Sequence, residues 1–497
     1  MSGDLTIVGV QGATDLEPLR CLRSIDGWLY IINNPELQNL GGLESLREVG
    51  GYVHINGNPT LFDVEGLLNL QSVGDFLFIQ NNPQLMSLDG FQGLSQLDGR
   101  LRVWNNDQLF DVDPLGSISG SVDGVAIGGN AALASVDGLI GITSVSGTID
   151  VVGNSTLSNV DGLAAVSGTV QQLRIVSNSS LADISGLSGI GAVSSNVWIE
   201  NNPSLGSISG IGGWQGIGGT VTIRDNATLS SVNSLGSVQT IGGWLLVEDN
   251  PSLQSVGFTN LSSVAGNLSI ANNGSLATVA GLGNLQTVGM SLRFLNNDSL
   301  PSVDGLSSLT SVGEDLRVSF NENLLDVDGL SSVQTVDGEL VVRNNPSLLD
   351  VDGLANVQVV GQLLGIIDND AMTTVSLPSL QAVGGRFQVR DSQVVSSVSA
   401  PNLQFVGDYF FVGRNPTLPS AGSFGSLEYV GGYFGVTEGA NLVSIAGFPV
   451  LDQVGDDFLV QNNPGLPTCD AQALAAQLSM LGGNVVIFGN LPDACGG

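Results

Sequence analysis

The chain has 497 residues, 46 acidic and 13 basic, for a formal net charge of −33 at pH 7. That balance argues against nucleic acid and anionic membranes as general partners. With 42% apolar and only 12% charged residues the chain can bury a core, and it holds no apolar run long enough to span a bilayer.

The N-terminus, Met1 to Ile7, enters strand-like sequence directly, without the charged and apolar regions of a secretory leader. The first coil begins at Leu5 with no visible cap. The expectation is an exported protein whose leader, together with an N-terminal cap, has been removed. Cys21 then reads either as a small buried hydrophobe or as a residue that lost its partner with that segment.

From there one phrase governs the chain, typified by Leu77 to Leu85, LFIQNNPQL. Taking its second Asn as the anchor, anchors fall at 34, 58, 82, 106, 130, 154, 178, 202, 226 and 250, in steps of 24. They continue at 273, 297, 321, 345, 369, 392, 415, 439 and 463, with Val10 and Asn490 at the two ends. Eighteen of these 21 positions are Asn, the exceptions being Val10, Ser392 and Gly439. Such regularity marks a solenoid.

Within a coil, apolar residues stand five and three positions before the anchor, as in Leu77 and Ile79, which predicts a short strand with two inward side chains. After the anchor they recur every third position: Leu37, Leu40, Leu43, Leu46, Val49. That spacing fits an extended return path with Gly at the corners of a narrow prism. The anchor Asn should turn inward and stack into a hydrogen-bonded ladder. At about 4.8 Å per coil the rod would measure roughly 100 Å. The predicted fold is an all-β, right-handed parallel β-solenoid over 1–466, closed by a small α/β cap over 467–497.

In the cap, 469–481 reads as a helix with Thr468 as its N-cap, followed by a strand from Val485 to Phe488. Cys469 and Cys495 bracket it, and a disulfide between them is predicted, with two free buried thiols as the alternative.

The repeat, SVGGxLxIxNNPxLxSLDGLxxL, shares L-x-L-x-x-N with horseshoe leucine-rich repeats, but the further Leu expected before the strand is replaced by Gly74 or Asp98. It resembles the receptor L-domain repeat, a leucine-rich-repeat-related family with a β-helix fold found in receptor ectodomains and many bacterial surface proteins. The ending resembles the C-terminal cap of secreted bacterial members. The resemblance implies an extracellular or cell-surface setting. It does not identify a ligand.

Strand positions four and two before each anchor should face solvent. They hold Arg102, Arg174, Arg224, Arg293, Arg317, Arg343 and Arg390, against only Asp150, Glu200 and Glu248. Tyr30, His54, Phe78, Trp104, Trp198 and Phe411 share the face. Exposed aromatics with segregated charge read as a binding surface. Two patches are singled out: Arg102, Trp104, Arg174 and Trp198, and a stripe of Arg293, Arg317, Arg343, Arg390 and Phe411. The alternative for Arg224 and Arg174 is ion pairing with Glu200 and Glu248 and with Asp150; the stripe has no such partners at those offsets. Arg forks suit carboxylate or sulfate, and Trp faces suit sugars.

Acids also recur in the "DGL" turns, and Asp326, Asp328, Asp350 and Asp352 should meet on adjacent coils. Four carboxylates together suit a hard cation such as calcium. Because Ser, Thr and Asn substitute freely there, the favoured reading is that each Asp bonds its own turn. No cofactor is otherwise expected. With lone His54, no nucleophile and Glu200 beside Arg224, the chain does not read as an enzyme. The sequons at Asn154, Asn178, Asn226 and Asn297 coincide with inward anchors, leaving Asn267 the more accessible. The function expected is an adhesion or recognition scaffold for a cell-surface protein or glycan, with self-association into a surface layer or filament as the alternative.

Overall fold

The structure is a computed structural model that describes residues 1–492. The chain divides into two compact units, Met1–Gly242 and Gly243–Gly497. Both are parallel β-solenoids, and each is built the same way.

In the first unit the main strands run from Leu5–Val8 and Leu29–Ile32 to Val221–Arg224, every neighbouring pair parallel and in register. In the second they run from Leu245–Glu248 to Val485–Phe488. A second face consists of short strands such as Glu48–Val49 and Ser72–Val73 in the first unit, and Ser311–Val312 and Thr335–Val336 in the second. The interior is the set of apolar residues picked out by spacing. Leu37, Leu40, Leu43, Leu46, Val49, Val53 and Ile55 are all essentially inaccessible. Each such side chain contributes about 1.5–3 kcal/mol on burial. In the second unit Phe387, Phe410, Phe434 and Phe458 stack ring on ring at 5.1–5.3 Å through the core.

The anchor Asn residues form the ladder, fully buried. Asn178 is representative. Its Oδ1 accepts from the backbone N–H of Asn154 at 3.0 Å, and its Nδ2 donates to the Val151 carbonyl at 2.9 Å. One side chain thereby satisfies two backbone groups of the preceding coil, and its Nδ2 also donates to Asn202 Oδ1 of the following one at 3.3 Å. Ser392 keeps half of this, accepting from the Asn369 N–H at 3.2 Å.

The return path departs from expectation. It is not wholly extended: most "DGL" segments, including Asp89–Phe91, Asp137–Leu139 and Asp328–Leu330, are single 3₁₀ turns. Glycine is required there by close approach of the preceding coil, since a Cβ on Gly329 would lie 1.9 Å from the Val303 carbonyl oxygen. The residue before each anchor adopts the left-handed region, as at Asn81, Asn105, Asn296 and Asn344. Asn tolerates that conformation at little cost, which explains the first Asn of the "NN" pair.

The C-terminal helix is Thr468–Ala476, shorter than 469–481. Thr468 is its first residue and not its cap. Pro467 holds the N-cap position, and the Thr468 hydroxyl donates to the Leu491 carbonyl at 2.9 Å. Ala471 and Leu474 are its buried residues, and Gln477 Nε2 donates to the Phe448 and Leu451 carbonyls. The final strand, Val485–Phe488, pairs with Phe458–Gln461 as the periodicity predicts. Cys495 lies outside the described residues, so the expected Cys469–Cys495 disulfide does too. Cys21 is exposed, against the buried reading.

Candidate functional site

Parallel in-register pairing turns a 24-residue spacing into a row of adjacent side chains. In the first unit Tyr30, His54, Phe78 and Arg102 are direct partners on four consecutive main strands. His54 sits edge-on between Tyr30 and Phe78, with ring centroids 5.9 and 5.8 Å away. Its Nε2 lies 3.0 Å from Gln80 Nε2, and burial, then the Arg102 charge, lower its pKa below the ordinary imidazole value. Beside this row runs a second one. Trp28, Tyr52 and Phe76 stack face to face at 5.0 and 5.2 Å, and Phe76 stacks on Phe78. Nothing in the sequence reading singled out this second row, although the same spacing was available to reveal it.

Arg102 closes the patch. Its guanidinium lies 4.7 Å from the Trp104 ring centroid, and its buried Nε has no hydrogen-bond partner. Among the described residues it has no carboxylate at ion-pair distance. Further along the same unit, Arg174 lies 5.9 Å from the Trp198 ring and pairs with Asp150 at 3.5 Å, with Arg100 on the other side at 4.0 Å. Burial raises the Asp150 pKa despite these cations. Arg224 pairs with Glu200 at 3.3 Å, as expected. Glu248, in the second unit, accepts from Ser269 Oγ.

The stripe of the second unit is arranged differently. Its Arg residues find acids at other offsets. Arg317 bridges Asp315 and Glu339 at 3.2 and 2.7 Å, and Arg343 meets Asp368 at 3.5 Å. Arg390 pairs with Asp391, which also takes Arg414 at 2.8 Å, and Arg414 lies 5.7 Å from the Phe411 ring. Arg293, the direct strand partner of Arg317, is the exception in having no acid at ion-pair distance among the described residues; its buried Nε, like that of Arg317, has no hydrogen-bond partner. Sequence reasoning missed these pairs because it scored only two offsets, whereas an Arg side chain spans several rows.

The acids of the 3₁₀ turns act locally. Asp326 Oδ1 accepts from the Asp328 N–H at 3.2 Å, and Asp350 Oδ1 from the Asp352 N–H at 3.0 Å. Burial first, then mutual repulsion, raises the pKa of Asp326 and of Asp352. Among the described residues no three His, Cys, Asp or Glu side chains converge as a metal site. The sequon residues Asn154, Asn178, Asn226 and Asn297 are fully buried, while Asn267 is half-buried, its side chain accepting from the Ser291 N–H at 3.0 Å. No helix among the described residues is long and apolar enough to cross a membrane.

No family model matches this sequence, and no curated protein does. Among solved structures the chain is similar to a leucine-rich-repeat protein of Leptospira interrogans, at 15% identity and a TM-score of 0.28, over 70% of this chain and 85% of that one. It is also similar to an internalin from Listeria monocytogenes, at 12% identity and a TM-score of 0.25, over 80% and 82% of the two chains.

Proposed function

We propose that this protein is an extracellular, non-enzymatic recognition scaffold of receptor L-domain-like repeats. Its binding surface is the main-strand face of the first unit, and its partner a cell-surface protein or glycan. One observation carries the reading: the in-register row Tyr30, His54, Phe78 and Arg102, whose cation has no carboxylate at ion-pair distance among the described residues. Half-buried aromatic rings beside an unpaired Arg supply the residue types that dominate binding hot spots. Such a cation is available to a carboxylate, sulfate or backbone carbonyl of a partner.

The test is a combined array of glycans and protein ectodomains probed with the labelled full chain and with Phe78→Ser/Trp104→Ser. Saturable hits lost in the variant support the reading; no saturable hit, or hits indifferent to the change, sinks it. Light scattering behind a sizing column separates the structural alternative. A monomer of 51.0 kDa is expected for a recognition scaffold, and ordered oligomers would favour a self-assembling surface layer.

A further inference from the structure

The second unit carries a surface of its own. In the second unit the residues just before and just after the ladder positions line a groove of about 1260 Å³, reaching from Asn272 to Glu438. Its walls carry Asp298, Glu322, Asp370 and Glu438, all exposed. Among the described residues none of these four is ion-paired, whereas the groove's Asp368 and Asp391 already hold Arg343, Arg390 and Arg414.

In the middle stands Phe320, 49% exposed, at φ +60°. Its neighbours in that row, Asn296 and Asn344, suit the left-handed region, and an aromatic residue does not. Phe320 thus accepts backbone strain and an exposed ring together, and no ring packs on it among the described residues. Strain without a packing return is the mark of a residue kept for contact with something else. An exposed ring among unpaired carboxylates suits an ammonium or guanidinium, which the ring face and the carboxylates attract together.

We propose that this groove binds an extended basic peptide segment of a partner protein, with Lys or Arg side chains against Phe320 and paired to Asp298, Glu322 and Asp370. Eight coils at about 4.8 Å spacing give a track of roughly 34 Å, the span of about ten extended residues. Charge complementarity selects the occupant. A second copy of this chain, at net −33, is a poor one. The inference does not depend on the reading of the first unit's face.

The probe is a labelled ten-residue peptide alternating Lys and Ser, titrated by anisotropy against the full chain at near-physiological salt. Glu322→Gln/Asp370→Asn is expected to weaken binding about tenfold, and Phe320→Asn about fivefold with an unchanged or higher melting temperature. The charge-matched pair Asp137→Asn/Asp161→Asn, in the first unit, should change affinity by less than about twofold. Absence of binding, an equal loss in the control pair, or unchanged affinity in either groove variant would overturn the proposal. A lowered melting temperature in Phe320→Asn would make the ring a structural element and overturn its assigned role.

Discussion

The two units share an interior and differ on their faces. Inside, the side chains of the first unit's Asn178 and the second unit's Asn345 make the same two bonds to the backbone of the coil before, and their backbone N–H groups donate to the Asn of the coil after. Outside, the first unit sets Arg102 on Trp104 beside two rows of aromatic rings, with no carboxylate at ion-pair distance among the described residues and Asp150 acting on it only from further off. The second surrounds Arg317 with Asp315 and Glu339. The repeat fixes which positions face outward, and it leaves their chemistry free. Arg at an outward strand position is therefore poor evidence of a binding site until its neighbours are known, and an unpaired Arg is much better evidence.

The shared interior gives the largest expected effect. Asn178→Ala and Asn345→Ala should each destabilise by about 3 kcal/mol, because each strands a buried N–H and a buried carbonyl of the preceding coil. Denaturant titration measures this; a large loss in one unit and none in the other would break the claim of a common interior. A comparable cost, about 3 kcal/mol, is expected on reducing the proposed Cys469–Cys495 disulfide. Peptide mapping under non-reducing conditions decides whether it exists.

The faces should differ in sign. Arg317→Met is expected to cost up to about 1 kcal/mol, less at high salt, because it leaves two carboxylates facing each other. Both arginines bury an unpartnered Nε, but Arg102→Met breaks no ion pair and should leave stability unchanged or raise it by up to about 1 kcal/mol, while abolishing partner binding. Matching losses in both variants would erase the distinction drawn here.

Acid should separate the units more subtly. The lowered pKa of His54 favours its neutral form in the fold, so the first unit loses stability as pH falls through the ordinary imidazole value. The raised carboxylates work in the opposite direction. Asp326 and Asp352 in the second unit, like Asp111 and Asp150 in the first, bind protons more readily when folded, so stability rises as pH falls toward the usual carboxylate range. Melting temperatures at pH 7, 6 and 5 should show the early loss in wild type and not in His54→Asn. The smallest effect concerns the turn acids. If each Asp bonds only its own turn, chelator leaves the melting temperature where it was, whereas a clear rise in calcium would place the ion at Asp326, Asp328, Asp350 and Asp352.

Much of this architecture was legible because one physical rule repeats. An inward Asn every 23 or 24 residues and apolar residues at fixed offsets leave few other ways to bury both, and Asn34 through Asn226 behave alike. The 3₁₀ turns were not legible, since Asp-Gly-Leu serves a corner or a helical turn equally well until the adjacent coil's backbone is seen pressing on Gly329. Thr468 was misplaced by one position for a similar reason. Its hydroxyl found the Leu491 carbonyl, a contact made by chain closure and invisible to local capping rules. The candidate site was half legible. The row through Tyr30 and Arg102 followed from register, but the acids that quench Arg317 and Arg343 come from rows that a two-offset count omits.

The most direct test compares the two faces in one experiment. A partner identified on the array would be titrated against wild type, Phe78→Ser/Trp104→Ser and Arg317→Ala/Arg343→Ala. The account predicts at least about a tenfold loss for the first variant and less than about a twofold change for the second. The reverse order, with the second unit's Arg pair carrying the affinity, would contradict it.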